Sequence, residues 1–426
     1  MAHLSYYYSL GLPSAGWISV PFDPKWTETE LQKRLTLSHA SIFITTKELY
    51  PLIKHLHPAV VIWEDCLEVI NQCSSLRIQQ VNGDLPFYMG FTSGTTGEPK
   101  AFIRSHDSWV ASFDCNRIDF HIDENDLILI PGALIHSHFL YGAISTLYSG
   151  GTVFLLEKFS ATQTLTIIEK QPITTIYVVP TMISALLKHN QTIEKSIKIL
   201  SSGAKWEEHS KLLMQKRFLN MKIIEFYGAS ELSFVTFLSD QQKPGSVGKP
   251  CHNVEIQIRK ANSELASPNE TGKIFVRSKL TFIGYLNEDT GAIQSIHDEN
   301  GWITVHDMGY MDEDGFLFIQ GREKNMILYG AINIFPEEIE KVIATHPGVE
   351  EVAVVGVQDP HWGQIVTAVV KGSTSILELK RVCRKNLSSY KVPRKWVFVE
   401  EMPHTTSGKI ARPLLRELIE SKVKGH

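Results

Sequence analysis

Short apolar runs alternate with helix-spaced apolar positions through the middle of the chain. Leu127-Ile128-Leu129-Ile130 reads as a buried strand closed by Pro131-Gly132, and residues 174–179 read as a second. Pro180 then opens a helix over residues 182–187, because its fixed φ and missing N–H suit a first turn. Lys198-Ile199-Leu200 runs into Ser201-Ser202-Gly203-Ala204, and residues 222–226 run into Tyr227-Gly228-Ala229-Ser230-Glu231. Strands alternating with helices predict an α/β domain whose mostly parallel sheet carries helices on both faces. The polar clusters at the strand ends are where such sheets bind ligands.

Past residue 240 the pattern changes. Pro244, Gly245, Gly248 and Pro250 mark a turn-rich passage, and residues 254–258 and 273–277 then alternate like antiparallel strands with one wet face. A Glu-rich helix over residues 336–346 and strands at 352–357 and 365–370 follow. The charged loop Gly321-Arg322-Glu323-Lys324-Asn325 is the expected boundary. The expected fold is therefore a large N-terminal domain over residues 1–321, with helix-flanked sheets and a small antiparallel β-subdomain. A small α+β domain over residues 322–426 is joined to it by a hinge.

Composition narrows the class. The chain has 426 residues, with 43% hydrophobic and 21% charged side chains, ordinary for a globular protein with a large core. A net charge of −4 gives no electrostatic reason to expect nucleic acid or an anionic membrane as partner. Five scattered cysteines without CxxC spacing read as reduced thiols. No apolar run approaches the ~18 residues of a membrane helix, and the start lacks a secretory pattern, so the cytoplasm is the expected location.

The run Phe91-Thr92-Ser93-Gly94-Thr95-Thr96-Gly97-Glu98-Pro99-Lys100 carries most of the chemistry. Glycines let successive N–H groups turn toward phosphate oxygens, hydroxyls add donors, and Lys100 adds a mobile charge. Read alone, a solvated loop fits the same residues. The order is not that of a Walker loop. It does resemble the phosphate-loop signature of the adenylate-forming superfamily, which includes acyl-CoA synthetases, luciferases and peptide-synthetase adenylation domains.

Further motifs extend that resemblance to residue 412. Tyr227-Gly228-Ala229-Ser230-Glu231 resembles the family's YGxTE motif, which implies adenine beside Tyr227 and magnesium carried by ATP on Glu231. Ser202-Gly203-Ala204-Lys205 resembles the loop bordering adenine and the acyl pocket. Asp307 and Arg322 match the ribose-binding pair, although acidic hairpin turns explain the same stretch; His306 stands where the family has glycine. Pro403 to Arg412 resembles PxTxxGKIxR, which makes Lys409 the adenylation lysine. Such a cation bridges carboxylate and α-phosphate as charge develops. Lys324 matches the pivot about which the small domain turns, and Gly330 would approach the thiol's tunnel.

The substrate class turns on Leu134-Ile135-His136-Ser137-His138-Phe139. Amino-acid-activating relatives place an aspartate near here, and its absence would leave a buried ammonium unpartnered. Ile135-His136 is a weakened form of the aromatic–His pair of acyl- and aryl-CoA ligases, which marks His136 as a candidate. The simpler alternative is two histidines at a helix end; a metal site would need a third ligand.

The resemblance thus implies an ATP-dependent carboxylic acid–thiol ligase using ATP, Mg2+ and coenzyme A. Two other expectations stand beside it: an adenylating enzyme loading a separate carrier protein, or a catalytically silent relative. Ala15 to Pro24 looks like a motif usually preceded by another layer, so a shortened start and a possible homodimer are expected. The short stretch after Lys409 leaves no room for a fused carrier.

Overall fold

The computed structural model describes residues 16–72, 81–93, 99–202, 208–239, 243–329, 332–359, 361–404 and 410–424. The chain divides into two compact units. The first holds residues up to 256 together with 276–303 and 315–317; the second holds 257–275, 304–314 and everything from 318.

In the first unit, Ser19 lies parallel to Tyr88: its N–H donates to the Phe87 carbonyl at 2.8 Å, and Met89 N–H donates back at 3.0 Å. Helix α1 (Glu28–Ser38) opens with a capping box, in which Thr27 and Glu30 satisfy each other's backbone N–H groups. Strands β1 (Phe43–Thr45) and β2 (Val60–Ile62) pair in parallel. Strands β3 (Pro86–Ser93) and β4 (Pro99–Ser105) form an antiparallel hairpin with Thr92 opposite Lys100 and Ser93 opposite Pro99. Helix α2 (His106–Ile118) follows, capped by the Ser105 hydroxyl.

The central sheet is built from β5 (Leu127–Ile130), β6 (Thr152–Leu155), β7 (Thr175–Val178), β8 (Ile193–Ser201), β9 (Phe218–Ala229), β10 (Ser233–Ser239) and β11 (Lys249–Pro250). Its order is β11-β10-β9-β8-β7-β5-β6. Pairings among β6, β5, β7, β8 and β9 are parallel, as the strand–helix alternation predicts; β10 and β11 add an antiparallel edge. Helices α3 (Ser137–Tyr148), α4 (Ala161–Lys170), α5 (Pro180–Leu187) and α6 (Glu208–Arg217) supply the crossovers. Leu129, Ile176, Val178, Ile199 and Ile223 pack with Leu165, Ile168, Ile183 and Met214 in one core. Each fully buried aliphatic side chain contributes about 1.5–3 kcal/mol. Asp126 ties the starting ends of β5 and β7 to β8: its carboxylate accepts from Thr174 Oγ1 at 2.6 Å and Thr175 Oγ1 at 3.1 Å and pairs with Lys198 at 2.9 Å.

After β12 (Val254–Arg259) and β13 (Gly272–Ser278), strands β14 (Gly284–Leu286) and β15 (Ile293–Gln294) extend the β3–β4 hairpin in the order β15-β14-β4-β3. Tyr285 lies opposite Phe102 of β4.

Most of the sheet β12-β13-β16-β17 belongs to the second unit, with β16 (Asp307–Met311) antiparallel to β13 and β17 (Leu317–Arg322) beside it. A second sheet there joins β18 (Ile327–Tyr329), β19 (Ile332–Ile334), β20 (Val349–Asp359), β21 (Gly363–Gly372) and β22 (Lys395–Phe398) in the order β19-β18-β21-β20, with β22 on β21. The helices are α7 (Pro336–Ile343), α8 (Ile376–Asn386) and α9 (Arg412–Lys424). The two-residue period of a strand sorts its side chains. Val354 and Val366 face Ile339, Ile343 and Leu379, while Ala353, Val355 and Val369 face Leu415 and Ile419. The helix expected over residues 336–346 stops at Ile343, where Ala344 caps it. No helix of the described residues is long and apolar enough to cross a membrane.

Phe139 is 3% exposed and covers Gly132 so closely that a Cβ at Gly132 would lie 2.1 Å from the ring. Gly132→Ala is expected to cost about 1–3 kcal/mol, read from urea unfolding; a loss under about 0.5 kcal/mol would show that the ring can move aside.

Candidate active site

The first unit gathers the phosphate-run flanks and the Tyr227–Glu231 turn. Thr92 and Ser93 end β3, and Lys100 lies across from Thr92 on β4, exposed. Gly94, Thr95, Thr96 and Gly97 lie outside the described residues. The Lys100 ammonium sits 5.2 Å from the centre of the Tyr285 ring, within cation–π range. The Tyr285 hydroxyl donates to Glu231 Oε1 at 2.6 Å. Glu231 is 8% exposed, and its carbonyl accepts from Phe282 N–H at 2.9 Å.

Beneath this turn lies Arg104, 5% exposed on β4. Its Nη2 donates to the Leu280 carbonyl at 2.6 Å and the Ser108 carbonyl at 3.2 Å, and its Nη1 to the Ser230 carbonyl at 3.5 Å. Burial pulls Arg104 down to about 10, opposed by Tyr141, Tyr88 and Glu231.

Tyr227 and Gly228 belong to β9, which runs on through Ala229 before folding back as β10. The β9–β10 register shifts between Phe234 and Thr236, a bulge opposite the Tyr227–Gly228 pair. A Cβ at Gly228 would lie 2.0 Å from the Ser233 carbonyl oxygen, so only glycine permits the closure.

His136 caps α3 with extended backbone, and its side chain is desolvated enough to lower its pKa; nearby Asp23 opposes the shift and Lys25 adds to it. His138 is packed against the rings of Phe139, Tyr177 and Phe226. Its Nε2 lies 3.1 Å from the Val178 carbonyl and its Nδ1 3.3 Å from Ser202 Oγ. A carbonyl only accepts, so the proton sits on Nε2 and Nδ1 accepts from Ser202. Burial lowers His138 to about 4, with the Val178 bond opposing and His136 adding to the shift. Ser202 directly precedes Gly203 and Ala204, which lie outside the described residues.

In the second unit, Arg322 Nε pairs with Asp307 Oδ1 at 3.1 Å; Asp307 is buried and Arg322 exposed. Lys324 lies on the one-turn 3-10 helix Glu323–Asn325. Glu323 takes Lys273 at 2.9 Å and His306 Nδ1 at 2.9 Å. Burial would raise the Glu323 pKa, but its bonds to Lys273 and His306 outweigh that and hold it below the usual value. His306 has φ +62°, the left-handed region that glycine enters without the strain a Cβ brings. Gly330 and Lys409 lie outside the described residues. The flanks of Lys409 are tied down: His404 bridges antiparallel to Ile410, His404 pairs with Glu351 at 2.8 Å, and Arg412 makes a fork of 2.9 and 2.8 Å to Glu340.

A match to known families decides what these sites belong to. The AMP-binding enzyme family matches residues 5–286, and the AMP-binding enzyme C-terminal domain matches residues 338–409. The chain belongs to the AMP-binding enzyme family. It is 46% identical over 417 residues to the uncharacterized acyl–CoA ligase YhfT of Bacillus subtilis (strain 168), covering 97% of this chain and 85% of that protein. It is 34% identical to the 2-succinylbenzoate–CoA ligase of Bacillus velezensis (strain DSM 23117), covering 77% and 72% respectively. Among solved structures, the o-succinylbenzoate CoA synthetase MenE from Bacillus subtilis, in complex with the acyl-adenylate intermediate OSB-AMP, superposes with a TM-score of 0.88. That alignment is at 27% identity and covers 98% of this chain and 86% of that one. The adenylate-forming fold expected from the motifs is the fold of this AMP-binding enzyme.

Sequence reasoning missed Tyr285, Arg104 and the role of His138. His306 stood out as a departure from the family pattern, and it shares its partner Glu323 with Lys273. Two outcomes are expected. His306→Ala should be less stable than His306→Gly by about 1 kcal/mol in chemical unfolding, since both lose the Glu323 contact and only alanine keeps the backbone strain; equal stability would refute the strain. The unfolded chain binds a proton near pH 6.5 that His138 in the folded protein refuses until about 4. Stability therefore falls as pH drops through that window, and His138→Asn should flatten that part of the curve.

Proposed function

We infer that this AMP-binding enzyme is an AMP-forming acid–thiol ligase that uses ATP, magnesium and coenzyme A. The carboxylate oxygen of the acid attacks the α-phosphorus, the bond to the β-phosphate breaks, and pyrophosphate leaves. The thiol sulfur then attacks the acyl carbonyl and loses its proton, and the acyl–phosphate C–O bond breaks to release AMP. The observation that carries this reading is the convergence of Lys100, Tyr285 and Glu231 in one unit, on the flanks of the glycine-rich run.

In this reading Thr92, Ser93 and the loop 94–97 hold the β- and γ-phosphates, with Lys100 assisting. Tyr227, Gly228, Ser230, Gly203 and Ala204 border adenine, and Asp307 with Arg322 binds ribose. Lys409 bridges carboxylate and α-phosphate, Lys324 is the pivot between the two half-reactions, and Gly330 lines the thiol path. His136, whose pKa is lowered by desolvation, stands beside the acyl group.

Glu231 suits magnesium, since a nearly buried carboxylate is a hard oxygen donor. Among the described residues no group of three or more His, Cys, Asp or Glu side chains could hold a metal ion. The cation would therefore take its other ligands from phosphate and water, and when bound it would neutralise phosphate charge. No aspartate lies in residues 134–139, so the acid is aliphatic or aryl without an ammonium group. The site of action is the cytoplasm, where ATP and coenzyme A are supplied.

ATP–pyrophosphate exchange across a panel of aliphatic and aryl acids tests this reading. Exchange is expected with at least one acid, and Lys409→Ala should lower it by about 10²-fold or more while Lys100→Ala lowers it by about tenfold. Exchange with no acid would favour a catalytically silent relative. Loss in Lys100→Ala with retention in Lys409→Ala would reverse the assigned roles.

A further inference from the structure

We propose that Tyr285 is the positioning residue for the magnesium-binding carboxylate and for the phosphate-loop lysine together; this rests on the reading of Glu231 given above. The geometry is particular. Tyr285 stands on β14 between two groups from different parts of the chain. Its hydroxyl donates to Glu231 Oε1 at 2.6 Å, and its ring lies 5.2 Å below the Lys100 ammonium. An O–H···O⁻ bond of that length is charge-assisted and among the stronger side-chain bonds.

The ring itself is fixed. Phe282, 1% exposed, packs edge-on against it with centroids 4.9 Å apart, and β14 pairs Tyr285 with Phe102 of β4 and Gln294 of β15. The turn bearing Glu231 is docked on the same segment twice more. Phe282 N–H donates to the Glu231 carbonyl, and Arg104 spans the Leu280 and Ser230 carbonyls. Backbone and side chain of Glu231 are therefore both held by the residues that lead into Tyr285.

The consequence is a division of labour within one carboxylate. A glutamate has three side-chain torsions, and fixing Oε1 on the tyrosine leaves Oε2 directed at one place. A cation arriving with the nucleotide then meets an oriented ligand and need not order a mobile one. On the ring's face, the lysine opposite Thr92 is kept near the phosphate run by attraction to the π system, which leaves its three N–H donors for phosphate. A purely structural role, tying β14 to the Ser230–Leu232 turn, is the competing account, and it predicts a change in stability without a change in metal dependence.

Calorimetric titration of the full chain with ATP, with and without MgCl₂ and with no acid present, separates these accounts in the wild type, Tyr285→Phe and Glu231→Gln. The phenylalanine keeps the ring for Phe282 and Lys100 and removes only the hydroxyl. Magnesium is expected to strengthen ATP binding in the wild type and not in Glu231→Gln. In Tyr285→Phe the magnesium-dependent gain should shrink by about tenfold, while the metal-free ATP affinity stays near wild type. If Tyr285→Phe keeps the full gain while Glu231→Gln loses it, Tyr285 is a structural tie and the inference is overturned, with the assignment of Glu231 intact. If Glu231→Gln keeps the gain, the assignment of Glu231 fails and takes the inference with it. A fall in Tyr285→Phe of metal-free affinity and melting temperature together, with the gain unchanged, also overturns it.

Discussion

The guanidinium of Arg104 is the constraint on which the turn bearing Glu231 depends. A buried cation is tolerable only if its donors are satisfied, and Arg104 spends them on carbonyls and a hydroxyl from three segments: Ser108, Leu280 and Ser230. Strand β4, helix α2, the approach to β14 and the turn after β9 are thereby held around one charge. That charge also lies under Glu231 and contributes a favourable field there. Removing the arginine would strip three carbonyl groups and one hydroxyl of a partner at once, which is why a single side chain can organise elements so far apart in the chain.

The groups assigned to chemistry share a construction. Residues 94–97 lie between β3 and β4, whose register is set by a long antiparallel ladder. Lys409 lies between His404 and Ile410, which bridge directly, and Arg412 is clamped by Glu340. In each case the flanks are fixed by the fold. Other side chains are fixed in the same local manner. Phe139 occupies the space over Gly132, and Lys273 and His306 converge on Glu323.

Much of the fold was legible because it rests on periodicity. The runs at 127–130 and 174–179 became adjacent parallel strands, and the strands expected at 352–357 and 365–370 became the paired β20 and β21 with a core on each face. Element ends were less legible. The helix expected to reach residue 346 stops three residues early, and β9 runs on through Tyr227 and Gly228, because pairing with β10 overrides the turn chemistry of that stretch.

The candidate site divides in the same way. Residue types in order along the chain carried the expectations for its chemistry: glycines and hydroxyls proposed for phosphate, a carboxylate after Tyr227-Gly228, an Asp and an Arg proposed for ribose, and a lysine near the end. The family resemblance also singled out His306 as a side chain where glycine is usual, and the structure gives it a positive φ. Only the tertiary structure could decide which residues support them. Tyr285 reaches Glu231 across 54 positions, and Arg104 reaches Leu280 across 176. The tautomer of His138 depends on a carbonyl of β7 and on the hydroxyl of Ser202, just past β8. Such partners carry no signature of spacing, since what selects them is distance and burial in the folded chain.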